Sequence, residues 1–106
     1  MLNIDIDVVR GITFVRVEGD LNNKTFDEFD LKINNLIYKF GMQFFVFNFV
    51  DVIDIENNIF NKIQNKLYEI FLSCGDVLMC GVKGNLKDKR CVYINSEVEA
   101  FKYFKI

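Results

Sequence analysis

The stretch Phe44-Phe-Val-Phe-Asn-Phe-Val-Asp-Val-Ile-Asp-Ile-Glu-Asn-Asn-Ile-Phe60 decides the fold of this chain. Its first part, Gln43 to Phe49, has lost the alternation of apolar and polar residues, which is typical of a strand buried on both faces of a parallel sheet. Beyond it, apolar residues recur at helical spacing: Ile59, Phe60, Ile63, Leu67, Ile70 and Phe71. We therefore expect a central strand followed by a helix from about Asn57 to Ser73, a junction at which α/β proteins usually keep their sites.

The residues before this stretch predict a hairpin and a helix. Apolar and acidic residues alternate from Ile4 to Val8, as in a half-buried strand. Arg10-Gly11 is a turn signal and Ile12 to Glu18 reads as a second strand, so the pair should be antiparallel. Gly19 to Thr25 is expected to be a loop. The first helix should run from about Thr25 to Phe40 and end at Gly41.

The residues after the stretch predict two more strands and a last helix. Cys74-Gly75 should close the second helix, and Asp76 to Val82 should form the fourth strand. Gly84 to Arg90 is polar and expected to be a loop, and Cys91 to Ile94 should be a short fifth strand. Ser96 and Glu99 have the spacing of a capping box, and the helix they begin should bury Val98, Phe101 and Phe104.

The resulting order, ββαβαββα, predicts an α/β fold: a mostly parallel sheet with an antiparallel N-terminal hairpin strand, covered by helices. With 106 residues, of which 51% are hydrophobic, the chain is long enough for one domain, which we expect to span residues 1–106.

Charge and cysteine content narrow the possible functions. The net charge of −2 and the pI of about 5.1 argue against nucleic-acid binding, which needs a basic surface. The three cysteines, Cys74, Cys80 and Cys91, have neither the number nor the spacing of a disulfide framework or a zinc site. The start of the chain does not resemble a signal peptide, and the apolar run from Met42 to Val50 is too short to cross a membrane. We expect a cytoplasmic protein without a membrane partner.

Catalytic patterns are scarce. The absence of histidine removes the commonest general base and metal ligand, and no glycine-rich phosphate loop is present. The carboxylates of Asp51, Asp54 and Glu56 have two interpretations: ligands for Mg²⁺ or Ca²⁺, or solvated acids favoured at the start of a helix by its dipole. The second is the commoner situation, so we expect no metal, no cofactor and no enzymatic activity.

Four segments, taken in order, resemble the STAS domain, the fold of anti-sigma factor antagonists and of sulphate-transporter tails. The second strand with its Gly19-Asp20-Leu21 ending resembles the corresponding strand of the family, and Asn48 stands where the family has Asn or Asp in the next strand. The turn at Gly75 and the run from Asn95 to Phe101 resemble the family's fourth strand entry and its final helix start. The resemblance covers nearly the whole chain and implies the STAS topology.

The resemblance also implies a phosphorylation site, from which this sequence departs. The family's signature at the start of the second helix is Asp-Ser-Ser/Thr-Gly, in which a partner kinase phosphorylates the second hydroxyl residue. Counted without gaps from Asn48, those positions are Glu56, Asn57, Asn58 and Ile59. Because an amide has no nucleophilic oxygen, Asn58 is a degenerate phosphosite that resembles the unphosphorylated state in size and charge. Either asparagine is also a good helix N-cap.

The resemblance therefore implies a non-catalytic regulatory module that binds an anti-sigma factor or a serine-kinase-like switch protein, as a monomer or weak homodimer. The loop after the second strand should lie beside the start of the second helix, and together they should form the partner-binding face. The expected residues are Asp20, Leu21, Asn22, Asn23, Asp54, Ile55, Glu56, Asn57, Asn58, Asn61 and Lys62. An alternative is a STAS-type sensor or scaffold that binds a nucleotide or anion at the N-terminus of the second helix.

Overall fold

The computed structural model describes residues 1–73, 75–83 and 91–104, apart from the side chain of Ser73. The strands are β1 (Leu2–Val9), β2 (Ile12–Leu21), β3 (Phe44–Ile55), β4 (Asp76–Cys80) and β5 (Val92–Tyr93). The helices are α1 (Phe26–Asn34), continued by a π-helical segment at Asn35–Lys39, then α2 (Asn57–Ser73) and α3 (Glu99–Tyr103). The expected bounds of the second helix are confirmed.

These strands form one sheet in the order β1-β2-β3-β4-β5. The hairpin of β1 and β2 is antiparallel, and all the other pairings are parallel, so the expected α/β topology is confirmed. β3 is the middle strand, and its side chains Phe45 and Phe47 are fully buried. The loss of alternation in the sequence therefore identified the centre of the sheet correctly.

The two faces of the sheet are covered unequally. One face carries Val15, Phe45 and Phe47 and packs against the buried residues of α1 and α2. The other face carries Ile12, Phe14, Val46 and Leu78 and is covered by the short α3, whose Ala100 is fully buried there. Two helices on one face and one on the other are what right-handed crossovers between β2, β3 and β4 produce, with α3 added from the C-terminal segment.

β2 and β3 are longer than the sequence indicated. Residues 19 to 21, expected in a loop, continue β2, and residues 50 to 55 continue β3. Gly19 makes the first extension possible: its φ is +101°, and a Cβ there would lie 2.0 Å from the carbonyl oxygen of Met1. The second extension follows from Val52 and Ile55, which pack against the core although Asp51 and Asp54 made the segment look like a loop.

The other expected boundaries also need correction. The first helix does not stay α-helical to its end: its last turn is π-helical, and the N–H of Phe40 donates to the carbonyl oxygen of Asn35 at 3.2 Å. Phe40 itself is 60% exposed. β5 is only two residues long. The final helix begins at Glu99, because Glu97 holds the segment before it to the sheet. Val98, which was expected to be buried, is 70% exposed. The expected capping box with Ser96 is not formed, since the Glu99 carboxylate accepts from the backbone N–H of Asn95 instead. The expected loop from Gly84 to Arg90 and the role of Cys74 lie outside the described residues.

Candidate functional site

The end of β2 and the start of α2 lie side by side. Leu21 pairs with Ile55 in the sheet, and the backbone N–H of Glu56 donates to the carbonyl oxygen of Leu21 at 3.2 Å. The ammonium group of Lys62 lies 5.6 Å from the ring centre of Phe26, which joins α2 to the start of α1. The structure thus brings together the two segments that the sequence placed on one face.

The loop between β2 and α1 is fixed by its own side chains. The hydroxyl of Thr25 donates to the carbonyl oxygen of Asp20 at 2.8 Å and accepts from the N–H of Asn22 at 3.0 Å. The side-chain oxygen of Asn22 in turn accepts from the N–H of Lys24 at 2.9 Å. These bonds hold Asn23, at the tip of the loop, exposed to solvent.

The first turn of α2 separates its side chains by burial. Glu56 precedes the helix, and its carbonyl oxygen accepts from the N–H of Phe60 at 2.9 Å, which puts Glu56 at the N-cap position. Asn57 and Asn58 are therefore the first two helical residues, and the expectation that one of them is the N-cap is wrong. Both are exposed, whereas Ile59 is fully buried.

Most of the expected docking residues lie at the surface. Asn23, Asp54, Glu56, Asn57, Asn58, Asn61 and Lys62 are exposed, and Asp20, Asn22 and Ile55 are partly exposed. Leu21 needs correction, because its side chain is fully buried and is not available to a partner. Its part in this face is structural: it supplies the carbonyl oxygen that holds Glu56.

Two irregularities in β3 add residues that the sequence did not single out. Between the pairs Arg16–Asn48 and Glu18–Asp51, β3 has Phe49 and Val50 opposite Val17 alone. Between the pairs Gly19–Val52 and Asp20–Asp54, Ile53 has no partner in β2. Such extra residues are β-bulges, which commonly re-aim side chains next to functional sites. The sequence carries a trace of the second bulge, because the adjacent apolar residues Val52 and Ile53 break a strict alternation.

A cavity of about 190 Å³ lies beside these bulges, between the end of β3 and the residues that leave β4. The described residues around it include Phe49, Val52, Ile55 and Phe60 from β3 and α2, and Gly81, Val82 and Lys83 after β4. Val50 and Ile53 also line it, together with the polar side chains of Asp54 and Asn57. It therefore opens next to the first turn of α2.

A polar cluster lies on the sheet face covered by α3. The Arg16 guanidinium donates to both carboxylate oxygens of Glu97 at 2.9 and 2.8 Å, and the Asn48 amide donates to Glu97 at 2.8 Å. Arg16 lowers the pKa of Glu97 by these bonds, while burial opposes the shift and Asn48 adds to it. Glu97, with help from Asp5 and Asp7, raises the pKa of Arg16. All of these polar groups satisfy one another, so the cluster is a structural support.

Two features of the described residues bear on thiol and metal chemistry. Burial raises the pKa of Cys80 to about 11, so its thiol stays protonated near neutral pH. Within residues 1–73, 75–83 and 91–104, no group of three or more Cys, Asp or Glu side chains converges as a metal site would require, so Asp51, Asp54 and Glu56 do not form one. None of the helices in these ranges has the length and hydrophobicity of a membrane span.

The sequence matches no protein-family model and no curated protein. Solved structures are similar to it in fold. The anti-sigma factor antagonist SpoIIAA in its unphosphorylated form has a TM-score of 0.72 and 13% identity, covering 99% of this chain and 98% of its own. A putative anti-sigma factor antagonist from Thermotoga maritima has a TM-score of 0.79 and 17% identity, covering 97% and 95%. An antisigma-factor antagonist STAS domain from Rhodobacter sphaeroides has a TM-score of 0.62 and 12% identity, covering 87% and 97%. The mixed five-stranded sheet, with its antiparallel first pair and helices on both faces, is thus the fold of the STAS domain.

Proposed function

We propose that the chain is a cytoplasmic, non-catalytic protein-binding module of the anti-sigma factor antagonist kind, which docks an anti-sigma factor or a serine-kinase-like switch protein. One observation carries the proposal: the hydrogen bond between Leu21 and Glu56 holds the β2–α1 loop against the start of α2, so that both segments present one exposed surface. We call this surface, made by Asp20, residues 22–23, residues 54–58, Asn61 and Lys62, the α2 face. Solved structures with the same fold are named as anti-sigma factor antagonists, which supports this choice of partner.

The α2 face is built for binding without modification. The segment from Asp51 to Ile63 contains no Ser, Thr or Tyr, so it offers no hydroxyl to a kinase. Asn58 is exposed and neutral in the first turn of α2, where its amide can donate and accept hydrogen bonds to a partner. A face held permanently in this neutral form would bind its partner constitutively.

The alternative ligand, a nucleotide or other anion at the start of α2, has less support. The helix dipole favours an anion there, but the exposed carboxylates of Asp54 and Glu56 lie immediately before the helix and repel it. The same two carboxylates favour a partner with basic groups at its contact surface.

Asn58→Asp tests the proposal. It places a negative charge where the family carries its phosphate, and it should leave stability nearly unchanged because an acid suits the start of a helix. Binding to the partner should weaken by roughly 1–3 kcal/mol, because the carboxylate lacks the donor hydrogens of the amide and is desolvated at a position where the partner matches a neutral group. The partner is first captured from the cytosol of the source cell with the tagged full chain, then purified and titrated by calorimetry.

Asn35→Asp is the matched control, since it makes the same charge change at an exposed position after α1 and away from the α2 face. The control should bind like the parent. Equal affinity of Asn58→Asp and the parent would show that the α2 face is not the interface. Saturable binding of a nucleotide, with no protein partner captured, would replace the proposal with the sensor interpretation.

A further inference from the structure

We propose that the cavity beside the β3 bulges receives an apolar side chain from the protein partner, flanked on the partner by basic residues. This inference rests on the proposed function and deepens it, because it names the chemistry of the contact that the partner must supply. The cavity shares residues 54, 55 and 57 with the α2 face and adds residues that are not part of it: Val50, Ile53 and residues 81–83.

The bulges expose apolar side chains at this place. Val50 is 65% exposed and Ile53 is 78% exposed, although both belong to a strand whose Phe47 is fully buried. A regular strand of this length would direct alternate residues into the core, whereas each extra residue shifts the following side chains by one position. Two bulges within four residues therefore present two branched apolar side chains to solvent at the edge of one cavity.

The departure of β4 opens the cavity. β3 and β4 pair only as far as Asn48 and Cys80, after which Gly81 turns away with φ +75°. A Cβ on Gly81 would lie 2.4 Å from the backbone nitrogen of Val50, so the backbone that leaves β4 contacts β3 at this point. Beyond it, the two segments diverge. The N–H of Val50 donates to the side-chain oxygen of Asn48 at 2.9 Å, which closes the ladder. Beyond this fork, β3 runs on to Ile55 without β4 beside it.

The size and lining of the cavity fit one apolar group. Its floor is formed by Phe49, Val52, Ile55 and Phe60. Its volume of about 190 Å³ exceeds the roughly 150 Å³ at which an apolar cavity holds a benzene molecule. A phenyl ring or a branched aliphatic side chain would therefore fit into this open cavity and lose part of its contact with water. Buried anchors of this kind, in pockets near the centre of a contact, carry most of the free energy of protein association.

The charged side chains near the cavity indicate which charge a partner should carry at the contact. Among the described residues, Asp54 and the exposed Lys83 line the cavity from opposite sides, and Asp51 and Glu56 are exposed on the same segment of β3 and at the entry to α2. The segment of residues 49–57 beside the cavity therefore carries three exposed acidic side chains and no basic one. A partner whose apolar anchor lies between arginine or lysine side chains would complement both the lining and the rim, and opposite charges of this kind also speed association.

Short synthetic peptides test the chemistry directly. The ¹⁵N-labelled full chain is titrated with Ac-Lys-Arg-Phe-Lys-Arg-NH₂ and followed by the chemical shifts of its backbone amides. We expect saturable shifts in residues 49–57 and 81–83, with a dissociation constant in the millimolar range, about −4 kcal/mol, as befits a single anchor. The same peptide with Ser in place of Phe, and the acidic peptide Ac-Glu-Asp-Phe-Glu-Asp-NH₂, should each bind at least roughly tenfold more weakly.

Variants of the exposed apolar residues provide the second arm. Val50→Ser with Ile53→Ser should weaken the Phe peptide roughly tenfold or more, without loss of fold, because both residues are mostly exposed. Leu31→Ser, at a residue of α1 that is 63% exposed, is the matched control and should leave binding unchanged. Shifts that cluster elsewhere, equal binding of the Ser peptide, or equal binding by the double variant would each overturn the inference.

The purified partner separates this inference from the proposed function. Loss of partner affinity in both Asn58→Asp and the double serine variant supports both. Loss in Asn58→Asp alone leaves the proposed function standing and overturns the cavity contact. Peptide binding at the cavity, with no effect of Asn58→Asp on any partner, supports the cavity and rejects the α2 face. Sedimentation that shows a dimer of the parent, abolished in the double serine variant, would assign the cavity to a second copy instead.

Discussion

Ile59 is a buried residue at the start of α2, at a position where the family's phosphorylation signature has glycine. The family signature has Gly at this position, whereas here a β-branched side chain is fully buried under the first turn of α2. Replacing it with Gly would remove that packing and add a flexible helical residue, at a combined cost of roughly 3 kcal/mol or more. An attempt to restore a phosphorylation site should therefore change Asn58 to Ser and leave Ile59 in place.

Thr13 is a buried polar residue whose replacement by an apolar one should stabilise the protein. Its hydroxyl is fully buried in β2 and has no hydrogen-bond partner among the described residues. Thr13→Val replaces the hydroxyl with a methyl group of similar shape, so the free energy of unfolding should rise by about 1 kcal/mol. Urea denaturation measures the change.

Thr13→Ser is the control for that measurement, because it keeps the unpaired hydroxyl and removes a buried methyl group. It should be less stable than the parent. A Thr13→Val protein that is less stable than the parent would show that the hydroxyl has a partner in solution, such as an ordered water.

At the scale of elements, the two halves of β3 differ in their strand pairing and in their exposure to solvent. Its first half, from Phe44 to Asn48, pairs on both sides and forms the middle of the core. Its second half pairs only with β2, contains both bulges and lines the cavity. We therefore expect the first half to contribute to stability and the second half to binding, so substitutions should have different effects in the two halves.

Phe47→Ala and Val50→Ala compare the two halves directly. Phe47 stacks between Phe45 and Phe49 with ring centres 5.8 and 6.4 Å away, and its loss should lower the free energy of unfolding by about 3–5 kcal/mol. Val50 is mostly exposed, so its truncation should change stability by less than about 0.5 kcal/mol. Thermal and chemical denaturation of both variants check this. A loss below about 1 kcal/mol for Phe47→Ala would contradict its central position.

At the scale of the whole molecule, an ion pair helps to hold the segment of α3 on its face of the sheet, beside the apolar contacts of Ala100, Phe101 and Phe104. α3 has only five residues, but Glu97 just before it reaches Arg16 on β2 and Asn48 on β3. This cluster fastens the C-terminal segment across the two strands that also support the α2 face. Its stabilising effect is tied to the charge of Glu97 and hence to pH.

Arg16 holds the pKa of Glu97 below its ordinary value, so the folded state favours the ionised carboxylate. The resulting stabilisation is fully present above the unfolded pKa, about 4.3, and is lost as pH falls through the lower folded value. Glu97→Gln should cost about 1 kcal/mol at pH 7, since Arg16 remains 36% exposed and partly solvated. The difference from the parent should shrink as the pH falls below about 4.3 and Glu97 becomes protonated, first in the unfolded and then in the folded state. Stability curves for the two proteins at several pH values provide the check, and a constant difference would contradict the assignment.

The sequence predicted those elements whose local pattern and tertiary environment agree. α2 has apolar residues at helical spacing with a buried Ile59 at its start, so its bounds were predictable from the pattern alone. The second half of β3 was not, because Asp51 and Asp54 are typical of a loop and only the register with β2 makes them part of a strand. The start of α3 was missed for a similar reason, because Glu97 bonds to residues far away in the sequence: Arg16, 81 positions away, and Asn48, 49 positions away.

The candidate site shows the same limit. Its exposed polar residues were predictable because the ends of parallel strands and the start of the next helix meet at one edge of a sheet. Leu21 was wrongly included, since nothing local to the sequence distinguishes a buried leucine from one in a loop. Val50 and Ile53 were missed, because their exposure depends on bulges that exist only when β3 is set against β2.

The two borders of the sheet differ in how they resist joining another chain. β5 offers only two residues, too few to template a further strand, whereas β1 offers eight. Along that longer border Asp5 and Asp7 are exposed and share the Arg16 guanidinium at 3.3 and 3.6 Å. Exposed charges on an outermost strand are a known defence against intermolecular β-pairing. Replacing both aspartates with asparagine would remove that defence, so the double variant of this phenylalanine-rich chain should aggregate through β1 more readily than the parent.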